Sequence, residues 1–153
     1  MDSKLSAMAD PICREVESLL AQCLDRYINS GRLREAASYA VMSGGKRIRP
    51  LLAYGAADAC GSRSELLMHG AAAVEMIHAY SLVHDDLPSM DDDDLRRGKP
   101  TVHVAFDEAT AVLAGDALQN MAYEVLTNAP ASDARKLICL QALTEAAGGR
   151  GMV

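Results

Sequence analysis

An all-α fold, an antiparallel helical bundle, is expected from this 153-residue chain on three observations. Half of its residues (50%) are hydrophobic, yet aromatics are scarce, with one Phe, five Tyr and no Trp. The apolar content is mostly Ala, Leu, Met and Val; the small and straight-chain residues among them lose little rotamer freedom in a helix. Apolar positions recur every three or four residues, and no run alternates apolar with polar between turn signals, so no strand is expected. The length suits one domain with a sizeable core.

The elements follow in order. Ile12, Val16, Leu19, Leu20, Cys23, Leu24, Tyr27 and Ile28 share one helical face. Asp10 is expected to cap that helix, with Pro11 at its first position and Gly31 beyond its end. A second helix is expected from about Arg32 to Met42, stopping at Gly44-Gly45, and a third from Pro50 to near Gly61. Between Ser64 and Asp86, one face carries Leu67, Ala71, Val74, Ile77, His78, Ser81, Leu82 and Asp85. Pro88 stops this fourth helix, because its ring collides with the carbonyl four residues back and it has no N–H to donate. A long helix from about Val104 to Leu126 and a last one from Ser132 toward Gly148 complete the set.

Charge and cysteines restrict the function classes. A net charge of −6 argues against a nucleic-acid or anionic-membrane partner held by bulk electrostatics, leaving local basic clusters to meet any anion. Cys13, Cys23, Cys60 and Cys139 lack C-x-x-C spacing and read as reduced thiols. The first ten residues lack a secretory apolar run, and Asp107, Glu108 and Asp116 interrupt the apolar stretch 104–126. A cytoplasmic protein with no membrane span is the expectation.

Two clusters carry the chemistry. In "HDDLPSMDDDDLRRGKP", residues 84–100, six aspartates fall within ten positions. Such a run is either a solvated loop or a cation site. Asp85 and Asp86 end the helix, Pro88 forces a turn and Asp91 to Asp94 follow, so helix-end carboxylates can converge with one from the turn. That arrangement suits Mg2+, which takes one or two carboxylates and completes its octahedron with water and substrate phosphate. A calcium loop starting at Asp91 is excluded by Leu95 and Arg96. In "GGKRIRP", residues 44–50, glycines free the backbone and Lys46, Arg47 and Arg49 offer donors that suit a diphosphate, or else form a basic turn after a helix. Ala40 and Arg47 exclude a P-loop. His78 lies two turns before Asp85 on the same face, as an anion ligand or a core histidine. Arg96 and Arg97 either clamp phosphate or neutralise the aspartates. Asp116 reads as the structural partner of some cation. A carboxylate cluster and two separate basic groups imply two diphosphates.

These residues resemble the short-chain trans-prenyl diphosphate synthases, and most nearly the bacterial-type farnesyl diphosphate synthases. "GGKRIRP", "AVEMIHAYSLVHDDLPSMDDDDLRRGKPT" and "AVLAGDALQ" look like that family's first blocks, in order, from about Leu33 to Leu126. The resemblance implies an isoprenoid-synthase fold and condensation of isopentenyl diphosphate with an allylic diphosphate, dimethylallyl or geranyl, to farnesyl diphosphate. It implies Mg2+ held by Asp85, Asp86 and Asp91, with Asp85, Asp91 and Arg96 in the catalytic step. Lys46, Arg49, His78 and Arg97 match isopentenyl diphosphate contacts, and Arg96 an allylic one. Tyr80, with Ser81 beside it, matches the position that limits product length. A homodimer is also implied. Family members are about twice this length and carry a second aspartate motif, absent here, so residues 1–153 read as the N-terminal part of one synthase domain. A non-catalytic partner of a full-length synthase is the main alternative; an HD-type phosphohydrolase, suggested by His84-Asp85, leaves the other aspartates without a role.

Overall fold

The computed structural model describes residues 3–153, and seven helices and one two-stranded ladder are found among them. Helix α1 spans Ser3–Tyr27, α2 Gly31–Met42, α3 Ile48–Ala59 and α4 Glu65–Asp85. Strands β1 (Leu95–Arg96) and β2 (Lys99–Pro100) follow, then α5 (Val102–Ala105), α6 (Glu108–Thr127) and α7 (Asp133–Ala147). The all-α expectation holds.

Four local expectations need correction. Helix α1 begins well before Asp10 and carries Pro11 inside it. Ala9 packs into the core, so tertiary burial extends the helix past the proline, whose missing donor falls on an exposed face. The third helix starts at Ile48, two residues before Pro50, which sits in its first turn where a missing N–H costs nothing. The helix expected from Val104 to Leu126 is two helices, because Asp107 caps α6: its carboxylate accepts from the Thr110 amide at 2.7 Å and from Arg32 Nη2 at 2.5 Å. Those donors, the amide first, hold the Asp107 carboxyl down at about 2. Finally, a short antiparallel ladder pairs Leu95 with Pro100 and Arg96 with Lys99 where no strand was expected.

Helix α4 is the axis of the fold. It packs most extensively on α6 and also against α3, α1 and α2. Ala71, Ala72, Ala73, Glu75, Met76 and Ile77 are all buried, so α4 is covered on more than the single face its sequence suggested. That is why it is apolar nearly all round. By length and composition α4 is also apolar enough to cross a membrane; here more than half of that window, 56%, is buried inside the bundle. Alanines at 71, 79, 111, 114 and 122 let α4 and α6 approach closely. The main core fills with Leu20, Met76, Leu118, Met121 and Leu126, while Val83, Leu87, Val102 and Ala114 form a smaller cluster under the end of α4.

Candidate diphosphate and metal site

The end of α4 builds the acidic part. Beyond Asp85 the chain curls back, with Leu87 N–H donating to the His84 carbonyl, Asp91 N–H to that of Asp85 at 2.8 Å, and Asp92 N–H to that of Leu87. Asp92 closes the curl with φ +54°, a left-handed conformation that Asp tolerates better than most residues. This places Asp91 beside Asp85. Among the described residues neither carboxylate forms an ion pair, whereas Asp86 is buried and receives Arg96 through Nε at 2.8 and 2.9 Å and Nη2 at 2.5 Å. Asp86 thus faces the hairpin arginine, and the structure does not bring it together with Asp85 and Asp91. No group of three His, Cys, Asp or Glu poised for a metal occurs among the described residues. Two available carboxylates nevertheless fit Mg2+, which draws its other oxygens from water and phosphate.

The hairpin assigns the two adjacent arginines to different places. Arg97 (φ +54°) and Gly98 (φ +76°) are its two central residues, both left-handed as a type I′ turn requires. Thr101 fastens its base, donating from its amide to the Asp94 carbonyl at 3.0 Å and from its hydroxyl to that of Asp93 at 2.8 Å. Arg96 turns to Asp86, and Asp86 first of all raises its already high pKa. Arg97 instead reaches the loop after α2 and donates from Nη1 to the Gly44 carbonyl. That approach needs Gly45, where a Cβ would stand 2.5 Å from Arg97 Nη1.

The basic part is a cavity of about 390 Å³ whose walls include Gly45, Lys46, Arg47, Arg49, His78 and Arg97. All four residues matched to isopentenyl diphosphate therefore line one space. Burial first, then Arg49, pushes the His78 pKa below its usual value of 6.5, so near neutrality the ring is an uncharged donor or acceptor. A histidine with a depressed folded-state pKa opposes folding when protonated, because between that pKa and about 6.5 the unfolded chain binds more protons. This contribution to stability is complete above about pH 6.5 and fades as pH falls through the lower folded value. Titration of the His78 ring by NMR should give a midpoint below the ordinary 6.5; a midpoint at or above that value would contradict it.

Arg47 is not a free donor. It is buried and held by Glu17 at 3.0 Å and Glu75 at 2.8 Å. Sequence reasoning missed this network, although a lone Glu75 within an apolar helix was its visible sign.

Below the acidic turn, Tyr80 is buried, 6% exposed, with its ring edge-on to His84 at 5.6 Å. The Ser81 hydroxyl donates back to the His78 carbonyl at 2.9 Å. His84 Nε2 lies 3.0 Å from the Val112 carbonyl and 3.8 Å from Asp116, for which it is a cation partner only when the ring is protonated. Gly115 makes room for the imidazole, since a Cβ there would overlap it. A larger cleft of about 620 Å³ runs beside α1 and α2 near Tyr39 and Phe106, but Asp25 and Glu35 offset its Arg34 and Lys99. It lacks the concentration of cations that marks the smaller cavity.

Cations around one cavity and carboxylates at the adjoining helix end make this end of the bundle the candidate site. Residues 30–152 match the model of the polyprenyl synthetase family, and the chain belongs to that family. It is 56% identical over 121 residues to a farnesyl diphosphate synthase of Haemophilus influenzae, covering 78% of this chain and 41% of that protein. A farnesyl diphosphate synthase of Geobacillus stearothermophilus is 47% identical over 143 residues, covering 90% and 48%. The crystal structure of a geranyltransferase from Legionella pneumophila superposes with a TM-score of 0.91 at 46% identity, over 96% of this chain and 53% of that one. The chain thus spans about half the length of the relatives it matches.

Proposed function

We propose that this chain is the N-terminal, diphosphate-binding part of a prenyltransferase domain that joins isopentenyl diphosphate to dimethylallyl or geranyl diphosphate and yields farnesyl diphosphate. The observation that carries the proposal is the separation of two charged sites along α4. His78 belongs to the cavity and Asp85 to the acidic turn, and seven residues of helix put their Cα atoms about 10 Å apart. In this reading Lys46, Arg49, Arg97 and uncharged His78 hold the isopentenyl diphosphate. Arg96, oriented by Asp86, meets the allylic diphosphate. Asp85 and Asp91 would hold Mg2+, which when bound offsets the negative charge that grows on a departing diphosphate.

The reaction breaks the allylic C1–O bond, its electron pair leaving with diphosphate. The double bond of isopentenyl diphosphate attacks the allylic carbon, a C–C bond forms, and a proton is lost. The arginines and Lys46 fix both diphosphates so that the two carbons approach each other, an entropic advantage that needs no covalent nucleophile. The four cysteines are free, in keeping with a reducing, cytoplasmic setting. Exposed Val104, Val112 and Leu113 on α5 and α6 support association into a homodimer.

The test is Lys46→Ala in a synthase of full family length carrying these residues. Loss of one hydrogen bond to a charged group, worth about 1.5–3 kcal/mol, should raise the KM for isopentenyl diphosphate about ten- to a hundredfold and leave that for the allylic substrate nearly unchanged. Equal increases for both substrates would overturn the two-site assignment.

A further inference from the structure

Arg47 is part of the cavity wall, yet its guanidinium is engaged by carboxylates of the protein itself. Its Nε and Nη1 are taken by Glu17 on α1 and Glu75 on α4, and its remaining Nη2 is sealed from solvent with no acceptor. Its backbone is also unusual, left-handed at φ 47° and ψ 39° where α3 begins. An arginine has no steric reason to adopt that conformation, so the surrounding contacts must impose it. Lys46 immediately precedes it and Arg49 follows two residues later, so the direction in which both cations leave the loop depends on this one inverted residue. Glu75, the carboxylate that anchors Arg47, lies three residues before His78 and so on the same face of α4.

We propose that Arg47 is a positioning residue for the diphosphate cavity: its ion pairs with Glu17 and Glu75 lock the 44–49 loop in the left-handed form that delivers Lys46 and Arg49 to the anion, in register with His78. The inference rests on the reading of the cavity as a diphosphate site. It assigns to a buried charge network the preorganisation that two exposed, flexible side chains lack by themselves. Arg47 stabilises the loop by joining three segments distant in sequence, so its loss is felt at the cavity through Lys46 and Arg49.

The experiment titrates inorganic diphosphate into the chain and its variants by calorimetry, with circular dichroism verifying that each is folded. Arg47→Met should weaken binding about tenfold or more, and combining it with Lys46→Ala should cost no more than the worse single change, because the two residues act as one unit. Arg47→Gly, which relaxes the left-handed backbone but removes the anchor, should also weaken binding, and Arg47→Lys should recover part of the loss. Should Arg47→Met fail to fold, Glu17→Gln, which removes only the more exposed anchor, should show the smaller loss in the same direction. Unchanged affinity in folded Arg47→Met, or in Glu17→Gln where that variant stands in, overturns the proposal, as do losses that simply multiply in the double variant. A lowered melting temperature at undiminished affinity assigns Arg47 a purely structural role and overturns it too. If the parent chain binds and Lys46→Ala weakens it while Arg47→Met does not, only this inference falls. A parent chain that does not bind diphosphate removes the cavity reading and the inference together.

Discussion

Asp85→Asn and Asp91→Asn should each lower condensation turnover by about a thousandfold in a full-length synthase carrying these residues, whereas Asp86→Asn should act first on stability. Metal assistance to a departing diphosphate is worth several kcal/mol, and each 1.36 kcal/mol is about tenfold in rate. Asp85 and Asp91 are drawn together by the amide of Asp91 on the carbonyl of Asp85, and both retain their oxygens for a cation. Asp86 has given its oxygens to Arg96. Removing one partner of a fully buried pair costs about 3–5 kcal/mol. The Arg96 side chain is 33% exposed, so solvent screening reduces the expected loss to about 2 kcal/mol. Chemical denaturation measures the stability change and steady-state kinetics the turnover. An Asp86→Asn variant as stable as the parent, yet as inactive as Asp85→Asn, would show that Asp86 binds the metal in the working enzyme.

In a full-length synthase carrying these residues, Tyr80→Ala should shift the product from fifteen carbons to twenty or more while sparing the first condensation. Five residues of helix place the Tyr80 Cα about 7.5 Å from that of Asp85. A hydrocarbon tail running from a diphosphate at Asp85 alongside α4 therefore meets this ring. The phenol packs against His84, which is itself lodged over Gly115, so the ring has little room to swing aside. Because Tyr80 belongs to the core, its truncation should also destabilise the fold by about 3–5 kcal/mol. Tyr80→Phe keeps the ring and should keep the fifteen-carbon product. Chromatography of extended-reaction products distinguishes the outcomes. Fifteen-carbon product alone from an active Tyr80→Ala enzyme would mean that the tail ends elsewhere.

The helices were legible because their apolar spacing reports burial directly, as Val16, Leu20, Cys23 and Leu24 do on α1. Boundaries were less so, since they depend on contacts remote in sequence: Ala9 pulls α1 across Pro11, and Arg32 helps Asp107 cut the α5–α6 stretch in two. The cap itself could have been read, for an aspartate followed by a glutamate at the head of an apolar periodic stretch is a helix-start pattern. At the site, the family resemblance grouped Lys46, Arg49, His78 and Arg97, and one cavity collects them. It treated the three aspartates alike because residue type shows the charge and not its direction. Asp86 is engaged by Arg96, which arrives on a hairpin that no alternation of apolar residues announced.

That hairpin makes chain length, rather than composition, the quantity most tightly constrained between Asp94 and Thr101. Two neighbouring guanidiniums leave the turn toward different partners, Arg96 to Asp86 and Arg97 to the Gly44 carbonyl, and only their position relative to the turn tells them apart. Adding or deleting one residue shifts the parity of the segment, offering the second arginine to Asp86 or the first to the glycine loop. Substitutions here weaken one contact at a time; a change of length misdirects both cations together.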